Sequence, residues 1–345
     1  MNPNVGELAR GTPLPLSGVR VLELAGIGPV PFAGKTLSQL GAEVTLISSP
    51  QPRGLGISMA LDPLEQGKAR AILDLKDPDG RDDLLTLVRS SHALIEGFRP
   101  GTLERLGLAP SSLLVANPSF VVGRCSGWGL RGPQSGTAGH DINFLAVAGV
   151  LGAIGPATGP CPPLNLIGDF GGAAMHLALG VVAALLSARS SGKGGVVETS
   201  IFEATVGLTA HLHGMRAAGL WQDQRESNLL DGGAAFYRCY QAADGRWMAV
   251  GAIEPKFFLD FVRLLGVDID AERQYDRAYW PEMTGRIAAR FASRNRDEWV
   301  SHFDASDACV SPVLEWSELR SHPLSRCAFD AQGPKPPTSF KQESI

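Results

Sequence analysis

Three short segments of this chain place an ionisable side chain beside glycine or at the edge of an element. They are Gly139-His140-Asp141-Ile142-Asn143, Asn165-Leu166-Ile167-Gly168-Asp169-Phe170-Gly171-Gly172, and the run through Gly251-Ala252-Ile253-Glu254-Pro255. Glycine frees the backbone, and such boundaries tend to open onto clefts. An imidazole and carboxylates are groups that move protons, so general acid–base chemistry is within reach of this set. Each segment also has a purely structural explanation. His140 and Asp141 read as the opening of a helix, with Asp141 favouring its positive end. Asp169 reads as a cap on the apolar helix that follows. Glu254-Pro255 reads as a helix start after a strand.

The elements that must carry these residues alternate strand and helix. Residues 18–24 (GVRVLEL) read as a buried strand, 25–29 as a Gly/Pro turn, 30–40 as a helix and 43–47 as a second strand. This is a βαβ unit opening a doubly wound sheet. Its turn offers Gly26 and Gly28 but not the GxGxxG spacing, so dinucleotide binding has little support. Further strands are expected at 71–75, 92–96, 119–126 and 196–199, with a helix at 79–90. The texture turns polar near Trp221. A hairpin is then expected from 236–240 to 247–250 across Ala243-Asp244-Gly245, with helices at 282–292 and 296–303. The expected organisation is a large Rossmann-like α/β domain with a parallel sheet over 1–220, a smaller α+β domain over 225–325, and an extended Pro-rich tail over 326–345.

Composition narrows the function classes. Of 345 residues 44% are hydrophobic and the formal net charge is −4, which fits a globular protein without affinity for nucleic acid. Five cysteines, none in CxxC spacing, suggest a reduced, cytoplasmic compartment, with organellar import still open, and no metal site. The N-terminal segment lacks the apolar stretch of a secretory signal. Residues 170–188 approach the length of a membrane helix. They contain His176 and many Ala and Gly, and have no flanking aromatic belt, so a buried helix at a domain or subunit interface is expected instead.

Taken together the segments resemble a family. GHDIN, NLIGDFGG, NLLDGGAAFY, GRWMAVGAIEPKFF and DACVSPVL, in this order, are similar to the α-methylacyl-CoA racemases of the family III CoA-transferase superfamily. The resemblance covers residues 16–313. It implies an isomerase that interconverts (2R)- and (2S)-2-methylacyl thioesters through an enolate, with coenzyme A as part of the substrate and no separate cofactor. His140 and Asp169 are the implied proton carriers on the two faces of the α-carbon. Glu254 is implied to orient and polarise the imidazole. Asp141, Asn143 and Tyr237 are expected as supporting groups. An enolate oxygen needs donors, and backbone N–H groups around Gly168, Gly171 and Gly172 are expected to supply them. The resemblance also implies an interlocked homodimer, with Glu254 acting across the subunit boundary.

The match weakens where the family handles CoA. Ser48 and Ser49 stand where a basic residue usually precedes proline. Glu65, Gln66 and Ala69 replace positive or neutral groups in the turn that leads to Asp74-Leu75-Lys76. Lys68, Arg70 and Arg99 remain as the expected contacts to CoA, with Arg53 as a further cation. The family continues past its Pro-rich segment into a terminal helix, whereas this sequence stops at Ile345. Weaker CoA binding, or another acyl carrier, is therefore expected. Two alternatives stay open: a CoA-transferase in which Asp169 is the nucleophile, and a non-catalytic binder of acyl thioesters.

Overall fold

The computed structural model describes residues 13–51, 61–330 and 333–340. The chain divides into two units, Met1–Ala148 with Pro163–Leu208 and Ala328–Ile345, and Gly149–Pro162 with Thr209–Cys327.

The first unit is built on six parallel strands: β1 (Arg20–Leu24), β2 (Glu43–Ser48), β3 (Ala69–Ile72), β4 (Ala93–Glu96), β5 (Val121–Ser126) and β6 (Gly195–Ser200). Their order is β3-β2-β1-β4-β5-β6. The order reverses between β1 and β4, and ligands of doubly wound sheets bind beyond the carboxyl ends of the strands at such a point. Strands β4 and β5 are buried at every position, as expected where helices cover both faces. The helix Pro29–Gln39 starts on proline, which presets its first turn, and buries Val30, Ala33 and Leu37.

Two elements differ from the sequence expectation. Strand β3 lies at Ala69–Ile72 rather than 71–75, because the following residues turn: Asp74 Oδ1 accepts the Lys76 N–H at 3.0 Å, and the Asp77 side chain caps the helix Pro78–Ser90. The apolar helix begins earlier than expected, as a wide-turned π-helix over Leu166–Ala174 that continues into the α-helix Met175–Ser191. Among the described residues, Leu166–Ser191 is the one helical stretch long and apolar enough to cross a membrane. Its Leu177, Ala178 and Val181 pack in the core with Val121 and Cys125, while Leu179 and Leu186 are exposed.

The second unit carries an antiparallel sheet of β7 (Tyr237–Gln241), β8 (Trp247–Gly251) and β9 (Val310–Pro312), in that order. Helices Pro255–Leu265, Trp280–Phe291 and Arg296–Phe303 close on it around Phe236, Phe258, Phe261, Phe291 and Trp299, all fully buried. This unit starts at Thr209, not near 225, and also takes in Gly149–Pro162. Arg225 Nε donates to the Pro156 carbonyl at 3.1 Å, and Glu226 Oε2 accepts the Ala157 N–H at 3.0 Å, each across 69 residues of sequence. Part of the tail pairs with itself instead of running extended: Phe329–Asp330 is antiparallel to Gly333–Pro334, and the Lys335 N–H donates to the Ala328 carbonyl at 2.8 Å.

Candidate active site

The turns that leave the carboxyl ends of β1, β4, β5 and β6 converge on one cleft of about 490 Å³. Gly28 comes from the first turn, Phe98 and Arg99 from the second, Trp128 and His140 from the third, and Ile201 from the fourth; Cys125, near the end of β5 itself, Asn165 and Asp169 complete the wall. Gly28 holds a φ of +74°, and a Cβ there would lie 3.0 Å from Asp169 Oδ2. Glycine serves both needs: it accepts the left-handed backbone and leaves room for the carboxylate.

His140 and Asp169 thus line the same cleft, as their sequence roles require. His140 is exposed, in extended backbone just before the helix Asp141–Val147. The Asn143 side-chain oxygen accepts the His140 N–H at 3.0 Å and so fixes the imidazole's attachment point. Asp141 turns away from its own helix. Its Oδ1 accepts the Asp169 N–H at 2.7 Å, and the carboxylate also accepts from the Gly168 N–H. A Cβ on Gly168 would stand 2.5 Å from that oxygen, so only glycine permits the contact. The Asp141 carboxylate therefore caps the start of a helix 28 residues away, satisfying donors that a helix N-terminus leaves open.

Burial pushes the Asp169 carboxyl up to about 6, the Asp141 carboxylate adds to the rise, and the Asn165 side chain (3.4 Å) and His140 oppose it. Burial likewise raises Asp141, against its two backbone hydrogen bonds. Cys125, buried in the same wall, is driven up by burial and then by Asp169, which keeps the thiol protonated.

Three sequence expectations are corrected here. First, Asp169 is not a cap: Asn165 precedes the helix and Asp169 sits inside its first turn. Second, the backbone donors expected near the glycines are taken. The Gly168 and Asp169 N–H groups bond Asp141, and Phe170 N–H bonds the Asn165 carbonyl at 3.3 Å. Gly171 and Gly172 lie deeper in the same helix, where N–H groups bond back along it. Third, Lys68 does not offer a charge to CoA. Its Nζ is fully buried, 2.6 Å from Glu23 Oε2 and 3.0 Å from the Pro31 carbonyl. Arg70 is exposed but paired with Glu65 at 2.7 Å. Arg99 lines the cleft and Arg53 lies outside the described residues.

Glu254 belongs to the second unit. It precedes the helix Pro255–Leu265, is exposed, and makes no capping hydrogen bond with its side chain. Gln274 Nε2 donates to the Ala252 and Ile253 carbonyls at 3.1 and 2.7 Å, and the Tyr275 hydroxyl donates to Ile253 at 2.6 Å. These two side chains, which no sequence pattern marks, hold the backbone that presents Glu254. Tyr237 lies opposite Gly251 in the sheet, on the wall of a separate cavity of about 760 Å³. The NLLDGG segment is a preformed turn: the Asn228 amide and Asp231 carboxylate bond each other at 2.9 Å, and Asp231 Oδ1 accepts the N–H groups of Asn228 and Gly233.

A doubly wound sheet with a histidine and a perturbed carboxylate at its switch point defines an α/β protein equipped for proton or acyl chemistry. The sequence pattern of CoA-transferase family III matches residues 16–329, and this chain belongs to that family. It is 42% identical over 327 residues to the alpha-methylacyl-CoA racemase of Mus musculus, covering 94% of this chain and 84% of that one. The alpha-methylacyl-CoA racemase of Homo sapiens is 41% identical over 309 residues, covering 89% and 80%. The crystal structure of Rv3272 from Mycobacterium tuberculosis superposes with a TM-score of 0.76 at 28% identity, covering 91% of this chain and 86% of that one.

Proposed function

We propose that this chain is a racemase of 2-methylacyl thioesters, exchanging the α-proton between His140 and Asp169. The observation that carries the reading is the pairing in one cleft of an exposed imidazole with a carboxyl raised to about 6. A carboxyl in that range both takes and returns a proton near neutral pH, which racemisation needs in its two directions. His140 acts on one face of the α-carbon and Asp169 on the other. The similarity to the two alpha-methylacyl-CoA racemases supports the same substrate class. The helix Pro29–Gln39, which starts at Gly28 in the cleft wall, turns its positive end toward developing negative charge and helps to stabilise the enolate.

The active form in this reading is a homodimer in which Glu254 of one copy orients His140 of the other. Its support is the family resemblance, the exposed Glu254 side chain, which makes no cap hydrogen bond, and the exposed Leu179 and Leu186 on the long helix.

Incubation with a single epimer of a 2-methylacyl-CoA in D₂O tests the reaction. Deuterium at the α-carbon together with appearance of the other epimer is expected. Acyl exchange between two thioesters without α-deuterium would replace the racemase reading with acyl transfer through Asp169.

A further inference from the structure

Arg99 is the one Lys or Arg that lines the cleft among the described residues, and its backbone is held from both sides. The preceding Phe98 N–H donates to Glu96 Oε2 at 2.6 Å, and the Arg99 carbonyl accepts the Thr102 N–H at 3.0 Å. The Arg99 side chain is exposed, and among the described residues it has no hydrogen-bond or ion-pair partner.

The turn is also held by a contact set centred on one arginine, Arg124. Arg124 lies on β5, whose residues are all buried, with its side chain 8% exposed. Its Nε donates to Glu96 Oε1 at 2.8 Å, at the end of β4 where the turn begins. Its Nη1 and Nη2 donate to the two oxygens of Glu104 at 2.9 and 3.4 Å, in the short helix Thr102–Arg105 where the turn ends. One guanidinium therefore ties both ends of residues 96–104. A planar, forked cation is suited to such a two-carboxylate tie, whereas a lysine offers only a point charge. Nothing in proton transfer at the α-carbon calls for a charged triad on the core side of this turn.

We propose that Arg124, clamped between Glu96 and Glu104, is a positioning residue for anion recognition: it fixes the 97–101 turn so that the free Arg99 guanidinium meets the phosphates of the thioester's carrier. The proposal rests on the thioester reading above. Arg99 is already an expected CoA contact; what the geometry adds is the clamp of Arg124 with Glu96 and Glu104 that holds its turn.

The test compares kcat/KM for one 2-methylacyl group carried on CoA and on pantetheine, which lacks the phosphates. The quantity read is the ratio of the two, in the wild type, Arg99→Ala, Arg124→Gln, Glu104→Ala and Arg99→Ala/Glu104→Ala. The wild-type ratio is expected to favour CoA by about tenfold or more, from one charge-assisted phosphate contact. Arg99→Ala removes that preference. Arg124→Gln and Glu104→Ala lower it toward the Arg99→Ala value through KM rather than kcat, and the double variant falls no further than Arg99→Ala alone. Glu104 is partly exposed, so Glu104→Ala decides the matter if Arg124→Gln does not fold. A wild-type ratio retained by Glu104→Ala, or a double variant whose losses add, overturns the positioning role. A ratio that Arg99→Ala leaves in place overturns phosphate reading by Arg99. Failure of the wild type on both thioesters overturns the thioester reading and this inference with it, and is recognised by the wild type alone.

Discussion

The Asp141 carboxylate accepts the Asp169 backbone N–H at 2.7 Å, so one acidic side chain both anchors and electrically loads another. The anchor is a helix cap supplied from a different helix. The load is Coulombic, because Asp141 raises the Asp169 carboxyl beyond what burial does alone.

Replacing Asp141 by asparagine keeps an oxygen acceptor and removes the negative charge. The Asp169 carboxyl then falls below about 6, and the acidic limb of the pH–kcat profile moves to lower pH. Asp141→Ala removes the acceptor too. It leaves the Gly168 and Asp169 N–H groups without their partner, at about 1–3 kcal/mol for an unsatisfied buried donor. A pH–rate profile of Asp141→Asn that coincides with the wild type would remove the electrostatic role.

Asp169 also links stability to pH. Its carboxyl is near 6 in the folded chain and near the ordinary 3.8 when unfolded, so the folded state holds the proton more tightly. A raised acid contributes a penalty that is absent below the unfolded value and grows as pH rises through the folded one. The wild type should therefore lose about 2 kcal/mol between pH 4 and pH 7 from this group. Asp169→Asn carries no such penalty. It should melt several degrees above the wild type at pH 7.5 and converge with it near pH 4, while losing racemase activity. Thermal melts at the two pH values check this, and a gap that widens toward acid contradicts it.

Much of the first unit was legible because parallel strands buried on both faces appear as apolar runs. Strands β1, β2, β4 and β5 fall on such runs within a residue or two, and β6, which is exposed at alternate positions, lies within a residue of the segment expected after the Gly-rich turn. The motif residues of the cleft were legible as types: His140 and Asp169 stand beside glycines, and Gly28 lies in the first turn. What the sequence does not display is partnership at a distance. Asp141 looks like a cap on its own helix, yet it serves one 28 residues on. Lys68 looks like a surface cation, since lysine is rarely buried, but Glu23 lies 45 residues earlier and takes it into the core. Residues 149–162 carry no periodic signal, and only long-range bonds from Arg225 and Glu226 assign them to the second unit. Burial and pairing of charges are tertiary facts, and local pattern does not encode them.

The buried Lys68–Glu23 pair predicts a stability phenotype where a binding phenotype was expected. Burial lowers the Lys68 ammonium and raises Glu23, so each charge persists because of the other. Gly34 leaves the space that Glu23 occupies, since a Cβ there would overlap Glu23 Oε2. Lys68→Met strands the carboxylate in the core and should cost about 3–5 kcal/mol, read as a fall in Tm or in the denaturant midpoint. Arg99→Ala, by contrast, should leave the melt close to the wild type and raise KM for the CoA thioester. If Lys68→Met melts like the wild type and instead raises KM, the ammonium serves the ligand after all.

Glu254 supplies the remaining prediction. It sits on a unit distinct from the one that carries His140 and Asp169, and its side chain is exposed and uncapped, held forward by Gln274 and Tyr275. If the active form is a homodimer with Glu254 acting on the other copy's histidine, His140→Ala and Glu254→Ala each inactivate both sites of their own homodimer. Unfolding the two variants together and refolding them should form mixed dimers. In each mixed dimer one site combines a wild-type His140 with a wild-type Glu254, and the other site lacks both. Random pairing makes half of the dimers mixed, so activity should return to roughly a quarter of the wild-type value. Recovery should depend on refolding the variants together, and should be absent when each is refolded separately and then combined. If Glu254 acts within its own chain, every site in every mixture still lacks one of the two residues, and no activity returns.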